Sequence, residues 1–142
     1  VTFIKPYCGG AAPTEEMEKK RNEGVPYANK QMYVRRGGEN DNAEPIWQKF
    51  TTDANGNYSF MLEEGEYCII EERKRDYQAI VNGLRTANYK FDNKCLTEWF
   101  SQCDKIIKIK GDDMTGQNIV ISGLCDWQGP VPCVETGGEA PR

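Results

Sequence analysis

Residues 51–71, TTDANGNYSFMLEEGEYCIIE, restrict the fold more than any other stretch of this chain. Phe50 and Thr52 on one side, and Tyr58, Phe60 and Leu62 on the other, alternate with polar or small residues. That is the period of a half-buried strand. Between them, Asp53-Ala54-Asn55-Gly56-Asn57 puts an Asn-Gly pair where a hairpin needs positive φ. Glu63-Glu64-Gly65-Glu66 supplies a second tight turn, and Tyr67-Cys68-Ile69-Ile70 starts the next strand. The stretch predicts a β-meander, with strands before and after the two turns.

Patterning elsewhere adds strands at 1–5, 31–35 and 46–50, the last leading into the meander, and at 105–110 and 117–121. Lys105, Lys108 and Lys110 point outward from the 105–110 strand, which discourages pairing at a sheet edge. Two helices are expected. Thr14 and Gly24 bracket an acidic-to-basic run with Met17 as its one sizeable apolar residue, so this helix has little to bury. Asn93 can cap a second, over 94–102, carrying Leu96, Trp99 and Phe100 at spacings of three and four. Residues 73–92 otherwise read as irregular. A length of 142 residues suits one domain, 1–142, with 1–122 as its body and 123–142 as a Cys-, Pro- and Gly-rich extension.

A net charge of −4 gives no footprint for nucleic acid, and no apolar run approaches the roughly 20 residues that span a bilayer. Six cysteines (Cys8, Cys68, Cys95, Cys103, Cys125 and Cys133) occur without a C-x-x-C pair, and there is no histidine to complete a zinc set. Disulfides formed in an oxidising compartment follow, implying an extracellular, cell-surface or periplasmic location. The expected pairs are Cys95 with Cys103, within one insertion, and Cys8 with Cys125 or Cys133.

The meander also carries a resemblance. Thr52, Asp53, Gly56, Tyr58, Phe60, Leu62, Gly65, Tyr67, Ile69 and Glu71 form the pattern T-D-x-x-G-x-Y-x-F-x-L-x-x-G-x-Y-x-I-x-E. It resembles the signature of prealbumin-like β-sandwiches, among them the carboxypeptidase regulatory-like domain and the collagen-adhesin B-type repeat. The resemblance implies an all-β, prealbumin-like (transthyretin-like) Greek-key sandwich of about seven strands with one or two short helical insertions, stabilised here by disulfides. Such modules mostly serve as spacers, stalks and binding units, so a non-enzymatic structural or adhesive role beside protein neighbours is expected. Two enzyme groups share a related sandwich, intradiol catechol dioxygenases and transthyretin-like hydroxyisourate hydrolases. Both need histidines, as do Ser-His and Cys-His nucleophiles, and the chain has none.

Several side-chain groups are candidates for more specific work. By resemblance to the adhesin repeats, Lys5, Glu71 and Asn118 match the lysine, acid and amide of an intramolecular isopeptide bond, which requires burial to neutralise the amine and the acid. Trp47, Trp99 and Trp127 would form a carbohydrate- or peptide-binding platform if exposed together. Carboxylates among Glu63, Glu64, Glu71 and Glu72 would serve a hydrolase only if paired across a cleft about 5–9.5 Å apart. Asp53-x-Asn55-x-Asn57 fails as a calcium loop because Tyr58 stands where glycine is needed, so it reads as the hairpin turn. Glu39, Asp41 and Glu44 are the weak calcium candidates, against the plainer reading of a solvated loop. No cofactor is expected.

Overall fold

The computed structural model describes residues 1–6, 8, 12, 14–111, 117–124 and 129–135. They form a β-rich fold with sheets of three, four and two strands and three α-helices. The four-stranded sheet has the order β4-β3-β5-β7, with β3 at Gln31–Arg36, β4 at Gln48–Thr51, β5 at Gly65–Glu71 and β7 at Lys105–Ile109. Every pairing in it is antiparallel, with Val34 opposite Ile69 and Cys68 opposite Ile106. The three-stranded sheet has the order β2-β1-β8, where β1 is Thr2–Ile4, β2 Val25–Pro26 and β8 Val120–Ser122. There β1 runs parallel to β8, with Phe3 opposite Ile121.

The two sheets share one core. Met32, Val34, Phe50, Tyr67, Ile69 and Ile107 from the larger sheet pack in one cluster with Val1, Ile119 and Ile121. Burying a side chain such as Ile69, fully removed from solvent, stabilises by about 1.5–3 kcal/mol. The opposite face of β3 and β5 is buried too, by Tyr33, Cys68 and Ile70 against Ile46 and Cys103. That two-sided burial explains why β5 reads as a continuous apolar run, not a strict alternation.

The three helices differ in how much they bury. The helix α1 (Glu15–Glu23) is capped by Thr14, whose Oγ1 accepts from the Met17 N–H at 3.1 Å, and it buries no residue. The amphipathic helix α2 (Tyr77–Thr86) starts at Asp76, which accepts from the Gln78 and Ala79 N–H groups. The third, α3 (Asn93–Ser101), packs Leu96 against Val81 and Leu84 of α2 and Val131, forming a second core. A two-stranded sheet of β6 (Lys90–Phe91) and β9 (Val134–Glu135) borders that core.

Five sequence expectations need correction. Residues 58–62 belong to no strand among the described residues; Tyr58, Phe60 and Leu62 nonetheless pack on the main core. Their alternation is held by ring packing, with Phe60 4.9 Å and Tyr58 5.0 Å from the Phe50 centroid, in place of a backbone ladder. The 73–92 stretch is not irregular, because it contains α2. The described residues accordingly hold three α-helices, not one or two, and the fold is β-rich, not purely β. The cap of α3 is Asp92, one residue earlier than expected, accepting from the Cys95 N–H at 2.9 Å. Finally, Cys95 does not pair with Cys103. Cys68 bonds Cys103, tying β5 to the lead-in of β7, and Cys95 bonds Cys133, tying α3 to the start of β9. Cys95 and Cys103 sit at opposite ends of α3, and each faces a different layer. Cys8 is disulfide-bonded, but Cys125 lies outside the described residues.

Candidate functional site

Thr52 and Asp53, two residues of the meander signature, organise the turn that holds one wall of a cleft. The fully buried Thr52 Oγ1 accepts from the Lys30 N–H at 2.9 Å and donates to the Tyr27 carbonyl. Its own N–H donates to the Lys30 carbonyl at 2.9 Å, and the Asp53 carbonyl accepts from Asn29 at 3.1 Å. Asn29 takes a left-handed conformation, φ 56°, which asparagine tolerates better than most residues. Gly56 closes the arrangement: with φ 75°, an added Cβ would lie 2.5 Å from the Val1 carbonyl oxygen. The result is a rigid 27–30 turn beside β1.

The cleft opens where the inward faces of β1 and β8 pass the end of β5, and its volume is about 560 Å³. Phe3, Val25, Pro26, Ile121, Leu124 and Pro130 give its apolar lining. Its polar side chains among the described residues are Tyr27, Lys30 and Arg73. The Phe3 and Tyr27 rings stack with centroids 5.8 Å apart, and Gly123 leaves room for Phe3, since a Cβ there would meet the ring at 2.5 Å. Lys30 Nζ lies 5.9 Å from the Tyr27 centroid.

Behind Arg73 sits a buried charge cluster. Arg73 grips Glu71 with Nε and Nη2, the latter at 2.8 Å, and its Nη1 donates to the Pro130 carbonyl at 3.2 Å. Burial alone pulls the guanidinium pKa down, but the hydrogen bonds and charge of Glu71 outweigh it and leave it above its ordinary value. Asp104 Oδ2 accepts from the Glu71 N–H at 2.7 Å, and Oδ1 lies 3.4 Å from Lys74 Nζ. Burial pushes the Asp104 carboxyl up, Lys74 opposes this, and Glu71 adds to it. Burial and the nearby Glu71 likewise raise the Tyr27 phenol against the pull of Arg73, so it stays a protonated donor. Trp99 covers the cluster, with Lys74 Nζ 5.0 Å and Arg73 Cζ 5.4 Å from its ring centroid.

Against this geometry, the candidates named from sequence fall in several places. Lys5 and Asn118 are exposed, and Asn118 hydrogen-bonds Thr2 Oγ1 at 3.2 Å. In the β1–β8 register Lys5 follows the Ile4–Ser122 pair while Asn118 precedes the Thr2–Val120 pair, a separation of roughly 16 Å along the strands. Glu71 is buried, but both its oxygens serve Arg73. The three isopeptide residues are therefore not brought together. Glu63 and Glu64 are exposed before β5, while Glu71 ends the strand and Glu72 follows it, roughly 20 Å away. Trp47 is half-exposed beneath Arg36, whose Cζ is 3.8 Å from its centroid; Trp99 belongs to the helical core, and Trp127 lies outside the described residues.

Glu39, Asp41 and Glu44 are exposed, and among the described residues no group of three or more His, Cys, Asp or Glu side chains is placed to hold a metal. The loop instead serves Asn40 and Arg35, both buried. Asn40 Nδ2 donates to the Lys74 and Phe100 carbonyls, each at 2.8 Å, and Oδ1 accepts from Arg35. Burial lowers the Arg35 guanidinium below its ordinary value, and the charges of Asp41 and Asp76 oppose this only in part. Among the described residues, no helix is long and apolar enough to cross a membrane. Compared with known proteins, the chain matches no family model, no curated protein and no solved structure.

Sequence reasoning passed over Tyr27, Lys30, Arg73 and Asp104. The Asn29 turn and the cation after a buried strand's terminal glutamate were signals, but only the register of the two sheets makes them neighbours.

Proposed function

We propose that this chain is a non-catalytic structural or adhesive module of an oxidising compartment, secreted, periplasmic or on the cell surface, built as a prealbumin-like Greek-key sandwich. The observation that carries the reading is the disulfide set: each described cysteine is bonded, with one bridge tying β5 to the lead-in of β7 and the other α3 to the start of β9. The sharing of one core by two sheets, with the chain crossing between them from β2 to β3 and from β7 to β8, supports the sandwich. The buried polar groups support a static role as well, since among the described residues no buried side-chain nitrogen or oxygen lacks a partner. The expected partners are protein neighbours in an assembly.

The test is alkylation of protein from its native source under denaturing, non-reducing conditions, read by intact mass. None of the six cysteines should react before reduction, and all should react after it. Free alkylation without reductant would overturn the assignment to an oxidising compartment.

A further inference from the structure

Among the described residues, the cleft beside the 27–30 turn is lined by three side chains with donors, Tyr27, Lys30 and Arg73, and by no carboxylate. The Tyr27 hydroxyl makes no hydrogen bond to a described residue, and Lys30 Nζ has no carboxylate partner among them. Arg73 commits three N–H donors to Glu71 and Pro130, and a guanidinium has five, so two remain. Two cationic donors and a hydroxyl without a lining carboxylate suit a group that accepts, which is an oxyanion. Glu71 already balances the charge of Arg73, and Asp104 and Glu72 act on Tyr27 from behind the lining, so an anion would be held by Lys30 and the spare Arg73 N–H groups and not by a net positive field. The remaining wall, from Phe3 to Ile121 and Leu124, is apolar, and the volume falls in the range of small-molecule pockets, roughly 300–1,000 Å³.

We infer that this cleft binds a carboxylate carried on an aromatic or branched aliphatic body, with Tyr27, Lys30 and Arg73 holding the carboxylate and Phe3 and Ile121 packing the body. This goes beyond the structural-module reading and stands without it. Two sources present the same chemistry, the C-terminus of a peptide ending in an apolar residue and a free hydrophobic acid.

The test is an NMR titration of the isotopically labelled protein with 3-phenylpropionate, its neutral amide, and N-acetyl-Gly-Phe as the free acid and as the amide. Saturable shifts are expected at residues 27–30 and 121–124, with each amide about tenfold or more weaker than its acid, the worth of one charge-assisted contact. Tighter binding of the peptide acid assigns the site to peptide C-termini, and equal binding assigns it to free acids. Lys30 is exposed, and its side chain accepts and donates no hydrogen bond among the described residues, so Lys30→Gln should fold normally and bind the acids about tenfold more weakly. Tyr27→Phe keeps the ring stack and removes only the hydroxyl. Should either variant fail to fold, raising the salt concentration on the wild type should weaken the acids and leave the amides unchanged. Equal affinity for acid and amide, or shifts confined to other surfaces, would overturn the inference.

Discussion

Asn40 holds together three elements that are far apart in sequence. Its side chain reaches the 3-10 turn at Glu72–Lys74, the end of α3 and the guanidinium of Arg35, while its N–H donates to the Ser101 carbonyl at 2.9 Å. Asn40→Ala leaves the backbone bond but strips two carbonyls and Arg35 of their partner, at a cost of about 3 kcal/mol measured by urea unfolding. A loss of a few tenths would mean that water replaces the amide without penalty. Asp104 makes a prediction of the opposite kind. Because burial raises its carboxyl pKa in the folded state, with Glu71 adding to the effect and Lys74 opposing it, the folded chain holds that proton more tightly than the unfolded one. Its contribution to stability is therefore fully present below the ordinary carboxylate value, about 3.9, and is lost as pH rises through the folded value. Asp104→Asn should remove that fall, so the stability of the wild type relative to the variant should decline as pH rises above about 4. A difference that is flat with pH would show Lys74 cancelling the effect of burial.

The two bridges with described partners differ in how they are protected. Cys68 is fully buried under the sheet, whereas Cys95 is exposed on α3. Under mild reductant in the folded state, Cys95–Cys133 should open first and Cys68–Cys103 only on unfolding, as read by alkylation and peptide mapping. Opening Cys95–Cys133 frees a loop with a sequence separation of 38 and should cost about 4 kcal/mol on chain-entropy grounds. The elements also differ in how plainly the sequence announces them. Thr14 and Gly24 mark α1 although it buries nothing, because capping is local chemistry. By contrast α2 was missed, since Asn82 and Gly83 interrupt a pattern whose Ile80, Val81 and Leu84 are committed to a helical core formed by tertiary contacts. For 58–62 the opposite error arose: the alternation of Tyr58, Phe60 and Leu62 correctly gives which side chains face inward. Period two reports burial, however, and cannot report whether a neighbouring strand supplies hydrogen bonds.

For the molecule as a whole, the meander signature located the shared core, because Thr52, Tyr67 and Ile69 are all buried by it or beside it. The candidate site was not legible to the same degree. Tyr27, Lys30 and Arg73 are distant in sequence and ordinary in type, and they meet only because β1 lies beside β8 while β5 ends behind them. Cysteine pairing was likewise beyond sequence, where spacing favoured Cys95 with Cys103 although α3 holds them apart. The observed pairing interleaves the bridges, with Cys95 inside the loop closed by Cys68 and Cys103, and Cys133 outside it. Under tension, the shortest covalent route from Cys68 to Cys133 therefore runs through sulfur to Cys103, back along α3 to Cys95, and through sulfur again. A pulling experiment on the oxidised chain should yield a contour length shorter by roughly 200 Å than after reduction of these two bridges, at about 3.4 Å per hidden residue. Between those cysteines the protein is a short tether, and it can transmit load across its helical layer even with both sheets pulled apart.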